Sequence, residues 1–259
     1  MIETFDLTVG YREPVLRALS LQFAPGKVHA LLGPNGCGKT TLFKTLIGLQ
    51  RPLSGMIQLD GKNLDSIPVN ARAQRIAYVP QTQQHVFPYT ALEMVLMGRT
   101  AHLGMFRVPS HHDHEHAMEA LANFGIAALA NQTFNTLSGG QRQLVIMARA
   151  LAQGASIFVL DEPTASLDFG NELRVLDEIG RIADQGWTVI LSTHNPSHAL
   201  QLAHQVVILK DGLVLDHGPA DTVMTEDNLS ALYSTAIRIG VIDNVPVCLP
   251  KSGAFRSDR

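Results

Sequence analysis

The sequence predicts an α/β protein whose core is a mainly parallel sheet, with an antiparallel β subdomain before it and a helical subdomain inserted into it. Three observations carry this. Short apolar runs at Val28–Leu32, Ile157–Leu160, 188–191 and 206–209 alternate with helical periodicity. That is the pattern of strands buried on both faces. Residues 1–32 instead alternate strand-like segments with the turn signal Pro25-Gly26, and residues 90–152 take a helical period punctuated by Gly104, Pro109 and Gly125.

In chain order, strands are expected over 4–9, 19–23 and 28–32, then a helix over 41–49. Further strands follow over 55–60 and 76–79. After the helical insertion come the strands at 157–160, 188–191 and 206–209. Asp211-Gly212 then turns the chain into a short strand at 214–215. Residues 1–235 read as one domain, with the insertion at about 90–152. Residues 236–259 read as a C-terminal extension, loosely ordered because Pro246, Pro250, Ser252 and Gly253 crowd it.

Composition excludes several classes. The charge of -3 gives no reason to expect a nucleic-acid partner. Two cysteines, Cys37 and Cys248, make no disulfide framework. Charged residues are 17%, below the usual quarter or so, which points to surface covered by partners. The N-terminus has neither the basic nor the apolar region of a signal peptide. The longest apolar stretch, 143–160, is broken by Arg149 and the Gly154 turn, short of the roughly 20 residues that span a bilayer. A chain soluble by itself is expected.

The chemistry concentrates at strand ends. The Val28–Leu32 strand feeds Gly33-Pro34-Asn35-Gly36-Cys37-Gly38-Lys39-Thr40, with Thr41 opening the next helix. This is a phosphate-binding loop, the signature of a P-loop NTPase core. Its glycines let the backbone N–H groups turn inward on a β-phosphate. Lys39 adds a charge toward the β- and γ-phosphates, and the Thr40 hydroxyl can ligate Mg²⁺. ATP or a related nucleotide is therefore expected. The Cys37 thiol reads as a small filler or a redox sensor, and the electropositive loop would lower its pKa. The run 157–162 is an apolar strand ending in two acids. Asp161 is placed to hold Mg²⁺ through water and Glu162 to polarise an attacking water. Farther on, Leu137-Ser138-Gly139-Gly140-Gln141 opens an apolar-periodic run, so its N–H groups form a positive helix end suited to phosphate or to a plain cap.

A phosphate loop, then LSGGQ, then the acidic strand end resembles one family over about residues 2–235, the ATP-binding-cassette (ABC) ATPases. The resemblance implies that Ser138, Gly139, Gly140 and Gln141 contact the ATP held by a second copy in a head-to-tail dimer. It makes Gln81 the Q-loop glutamine touching Mg²⁺ and water, and His194 the switch histidine at the γ-phosphate. Ser166-Leu167-Asp168 becomes the D-loop linking the two ATP sites. Tyr11 is placed either to stack on adenine or to pack in the core. His111, His112, His114 and His116 read as a solvated helix start or a metal site.

One cassette without fused spans implies a subunit bound to an integral-membrane permease at the cytoplasmic face of the cell membrane. The stretch from Val86-Phe87-Pro88-Tyr89-Thr90 to Met97-Gly98-Arg99 is similar to the ATPases of importers for iron chelates, haem, cobalamin or molybdate. Such systems also use a periplasmic or surface substrate-binding protein. A non-importer ABC ATPase is the alternative; a GTPase would show an Asn-Lys-x-Asp motif that is absent.

Overall fold

The structure is a computed structural model and describes residues 1–81, 87–103, 107–165 and 167–251. The chain opens with β1 (Ile2–Gly10), β2 (Pro14–Leu19) and β3 (Gln22–Phe23). It enters the central sheet at β4 (Val28–Leu32), follows with α1 (Lys39–Leu46), and returns to the first layer with β5 (Ser54–Leu59) and β6 (Lys62–Asn63). These antiparallel strands order as β2-β1-β5-β6, with β3 paired to β1. Buried Thr4 both donates to Leu19 O and accepts from Leu21 N. That contact divides the expected 19–23 strand into β2 and β3.

After α2 (Val69–Ala73) and β7 (Ile76–Val79) come three helices, α3 (Ala91–Leu96), α4 (His111–Asn123) and α5 (Gly139–Ala152). All three begin at capping boxes, Thr90 with Glu93, Ser110 with Asp113 and Ser138 with Gln141. Each box satisfies two backbone donors at a helix start. The Met97-Gly98-Arg99 stretch has a packing reason: a Cβ on Gly98 would lie 2.2 Å from Arg149 O of α5. Arg99 then bonds Asp113 of α4 at 3.0 Å and Ala152 O of α5 at 2.9 Å.

The chain finishes with β8 (Ile157–Leu160), α6 (Phe169–Asp184), β9 (Thr188–Thr193), α7 (Pro196–Leu202), β10 (Gln205–Lys210), β11 (Leu213–Pro219), α8 (Ala220–Val223), α9 (Glu226–Tyr233), β12 (Ile237–Ile242) and β13 (Val245–Pro250). The central sheet orders as β11-β10-β4-β9-β8-β7. All its neighbours pair in parallel except the edge strand β11. Alternate residues of these strands enter two different cores. Ala30, Leu32, Phe158, Leu160 and Leu191 face the helical side; Leu31, Val159 and Ile190 face α1 and the antiparallel strands. Burial on both faces is why the strands are apolar throughout.

The expected loose tail differs in part. Residues 237–250 form a hairpin in register from Ile237↔Pro250 to Ile242↔Val245, and β13 packs on α7. Asp243 and Asn244 both take positive φ, 48° and 64°, as a two-residue turn that matches strand twist requires. A two-stranded ribbon is all edge, so its prolines cost few ladder bonds. Residues 252–259, with Ser252 and Gly253, lie outside the described residues, as do Gly104, Val86 and Ser166.

Candidate active site

The site is built at the C-terminal ends of the parallel strands, where open α/β sheets take ligands. The loop 33–38 leaves β4, Gln81 follows β7, Asp161 and Glu162 follow β8, and His194 follows β9. Gly33 N donates to Thr193 O at 3.3 Å, which fastens the loop to the neighbouring strand end. Helix α1 begins at Lys39, two residues ahead of the expected start, so Thr40 and Thr41 lie in its first turn.

Two loop glycines are required for different reasons. Gly36 has φ +82° with open space beside it. Gly38 has φ +105°, and a Cβ there would stand only 2.8 Å from Val15 Cγ1. The first needs a left-handed backbone; the second needs that and room. Cys37 does not behave as its electropositive setting predicts. Burial raises its pKa, outweighing the opposing pull of Lys39, so the thiol stays protonated and packs with the α1-side core.

Glu162 is the meeting point. Its Oε1 lies 3.3 Å from Lys39 Nζ. Its Oε2 accepts from Gln81 Nε2 at 3.0 Å and lies 3.4 Å from His194 Nδ1. The backbone at Glu162 is left-handed, φ 46°, a conformation that costs energy for a residue with a Cβ and persists where surroundings enforce it. Here Glu162 N donates to Ser192 Oγ at 2.9 Å, and Ser192 Oγ donates to Asp161 Oδ1 at 2.7 Å. Tyr78 OH donates to Asp161 Oδ2 at 3.4 Å; burial, then Asp161, raise the Tyr78 pKa and keep it a donor. Sequence reasoning missed Ser192 and Tyr78. Their signal was a polar side chain on a strand of the buried central sheet, which must find a partner.

A concavity of about 440 Å³ is lined by Val15, Asn35, Gly36, Gly38, Lys39, Thr40, Thr41, Gln81 and Glu162. Hard oxygen donors suit Mg²⁺, and the residues present fit it. Thr40 lines the cavity, and Gln81 commits its amide nitrogen to Glu162, leaving its carbonyl oxygen for a cation. Asp161 has two lone-pair sites beyond its two bonds.

Ser138, Gly139, Gly140 and Gln141 do not line that concavity. Ser138 N-caps α5, accepting from Gln141 N at 3.3 Å, while its own N donates to Gln141 Oε1 at 3.0 Å. A Cβ on Gly140 would meet Asn171 Oδ1 at 2.2 Å. Asn171 donates through its N and Nδ2 to the two Asp168 oxygens, at 2.9 and 2.8 Å. The second glycine therefore lets α5 approach the Asp168 end of α6. Tyr11 is 65% exposed, which removes core packing as its role.

The histidine run falls on α4. His112 Nε2 and His116 Nε2 lie 3.0 Å apart, and His114 Nδ1 is 2.9 Å from Ser110 O. Among the described residues no group of three or more His, Cys, Asp or Glu is arranged to hold a metal ion.

A family profile described as ABC transporter matches residues 16–165. The chain belongs to the ABC transporter ATP-binding domains. It is 40% identical over 237 residues to an uncharacterized ABC transporter ATP-binding protein of Haemophilus influenzae, covering 91% of this chain and 90% of that one. It is 36% identical to the iron(3+)-hydroxamate import ATP-binding protein FhuC of Bacillus subtilis, covering 96% and 94%. Among solved structures, an inward-facing ABC transporter described as of metal-chelate type superposes with TM-score 0.86 at 33% identity, covering 96% of each chain. The dimeric cassette MJ0796 in a post-hydrolysis state with ADP and Pi superposes with TM-score 0.74 at 27% identity, covering 85% and 99%. As an ABC ATP-binding domain the chain is an ATPase. Among its described residues no helix is long and apolar enough to cross a membrane.

Proposed function

We propose that this cassette is the ATP-hydrolysing subunit of an importer for a metal chelate or related solute, of the iron-siderophore, haem, cobalamin or molybdate type. It would couple ATP-driven closure of a head-to-tail dimer to uptake through a membrane permease. The observation that carries the catalytic part is the convergence of Lys39, Gln81 and His194 on the strained Glu162. The solute class is supported by the iron-hydroxamate relative and the metal-chelate-type neighbour.

In this reading the loop N–H groups of 33–38 and Lys39 bind the phosphates. Lys39 has three ammonium donors, directed to Gly33 O at 2.7 Å, Pro34 O at 3.0 Å and Glu162. A γ-phosphate takes over the place of the Glu162 carboxylate at Lys39, since the other two acceptors, Gly33 O and Pro34 O, are backbone carbonyls of the loop itself. Glu162, still held at its backbone by Ser192, then accepts a hydrogen bond from the attacking water. The water oxygen bonds to the γ-phosphorus, the bond to the β-phosphate oxygen breaks, and the proton passes to Glu162. His194 orients the γ-phosphate and Gln81 the water. Thr40, Gln81 and, through water, Asp161 would hold Mg²⁺, which would supply neutralisation of the developing phosphate charge. Tyr11 stacks on adenine, and Asn35, Pro34 and Thr41 complete the wall around the phosphates.

The second half of each site comes from the partner copy, through its residues 138–141 and its Asp168. The permease holds the otherwise peripheral cassette at the cytoplasmic face, and a substrate-binding protein delivers the solute. The test is co-expression with a candidate permease and measurement of ATP turnover and chelate uptake in Glu162→Gln. Both should be lost together. Uptake that persists without hydrolysis contradicts the assignment.

A further inference from the structure

His198 and Glu172 belong to none of the groups above, yet they form a close pair, the histidine buried and the glutamate half-buried. His198, in the first turn of α7, is 6% exposed. Its Nε2 contacts Glu172 Oε1 of α6 and lies 3.0 Å from Asn195 Nδ2; its Nδ1 lies 3.2 Å from Thr193 Oγ1. Thr193 and Asn195 are the two chain neighbours of His194. One imidazole therefore holds both flanks of the residue that faces Glu162. At its other end Glu172 sits in the first turn of α6, where its N–H donates to Asp168 O at 2.9 Å.

A polar pair taken largely out of water is poor evidence for stability as such, since apolar residues of the same shape often serve at least as well. What such a pair supplies is a fixed relation between the elements that bear it. Here those elements are the helix capped by Asp168 and the loop of His194. Asn195 adds a second tie within the loop, its Oδ1 accepting from Ser197 N at 3.0 Å.

We propose that Glu172 and His198 are positioning residues that transmit the position of the Asp168 end of α6 to His194. A displacement of Asp168 by the partner copy then moves the γ-phosphate contact of the same chain. The inference rests on the reading of His194 and Asp168 given under the proposed function. The chain of contact is Asp168, α6 first turn, Glu172, His198, then Thr193 and Asn195 on either side of His194. No bond is made or broken in it.

The test measures ATP turnover and nucleotide affinity of the full-length chain as Glu172→Ala, His198→Ala and the double variant. Misplacement of a group from outside the reacting atoms can lower rate by about a hundredfold, so each single variant should lower kcat by roughly 10- to 100-fold with ATP Kd changed less than about twofold. The double variant should be no worse than the singles, because residues that act as one unit are not additive. His198→Gln, whose amide can still reach the Glu172 carboxylate, should recover most of the rate. A purely structural pair would lower Tm and leave kcat of the folded fraction alone. Should the alanine variants fail to fold, Glu172→Gln decides: a lowered kcat at unchanged Kd supports the proposal, and a wild-type kcat overturns it. His194→Ala separates the two levels. Wild-type turnover there sinks the switch reading, whereas impaired His194→Ala beside normal Glu172→Ala and His198→Ala sinks only the relay.

Discussion

Lys39 Nζ and Glu162 Oε1 stand 3.3 Å apart with side chains only 4% and 9% exposed. The cation that would bind phosphate and the carboxylate that would activate water thus hold each other in place. Lys39→Ala removes the loop's charge and leaves Glu162 facing Gln81 and His194 alone. We expect ATP to lose its stabilising effect. For the wild-type chain, saturating nucleotide should add about 2.7 kcal/mol at a hundred times Kd, read as a rise in Tm. Undiminished ATP-dependent stabilisation in Lys39→Ala would contradict the phosphate-loop assignment.

Two buried histidines set a pH window for stability. His29 lies on β4, 2% exposed, and burial, more than nearby Lys27 and His204, lowers its pKa against the raising contact with Ala24 O. His198 is lowered by burial and by His194, against the raising pull of Glu172. Both folded pKa values thus lie below the unfolded value near 6.5. Above that pH both states are neutral and stability is flat. As pH falls through it, the unfolded chain takes up protons that the folded chain refuses, so stability is lost progressively down to the folded pKa values. Tm should fall between about pH 7.5 and pH 5.5, and the fall should be shallower in His29→Gln. An equal slope in that variant would remove His29 from the account.

The parts of the site that rest on one local segment are legible in the sequence. A phosphate loop declares itself because its glycines, lysine and threonine act at fixed spacing between a strand and a helix. The paired acids after β8 are legible for the same reason. What stays hidden depends on partners brought by other strands. Ser192 and Tyr78 organise Asp161 and Glu162 from β9 and β7, and no spacing announces that. Tyr233 OH donates to His194 O at 2.6 Å from α9, thirty-nine residues along the chain. The Cys37 thiol defeats a sequence reading because sequence shows the adjacent lysine and not the burial that outweighs it. The hairpin after α9 is hidden by its prolines, which usually mark loops but are tolerated in a ribbon that is all edge.

The proposed docking surface for the permease is testable through Phe87. It is 64% exposed, and its ring stands 5.9 Å from that of Tyr89. Tyr89 packs on the helical-side core and accepts from Phe134 N at 2.8 Å. The segment thus joins the chain just after Gln81 to the helical region. Part of the reading, residues 82–86, lies outside the described residues. Cysteines placed at 87–99 should crosslink to a short cytoplasmic helix of the permease, most strongly at Phe87. Crosslinks confined to distant surfaces would move the docking groove elsewhere.

The shared site gives the last prediction. Ser138–Gln141 does not line the concavity at the phosphate loop, so in the proposed dimer each γ-phosphate meets the partner's Ser138 and the partner's Gly140 at the positive end of α5. Glu162→Gln keeps the size of the side chain and loses its proton acceptance. General bases contribute roughly 10²–10⁴-fold in rate, so turnover should fall by about that factor while ATP remains bound. With hydrolysis blocked, the full-length chain plus ATP should run as a two-fold symmetric dimer on size exclusion. Ser138→Arg in the same background should return it to monomer, because the long side chain fills the space through which the helix end would approach the phosphate. That substitution also removes the α5 cap, worth about 1 kcal/mol, so its Tm must be measured in parallel. A variant that stays folded and still dimerises with ATP would show that the signature turn does not close the site.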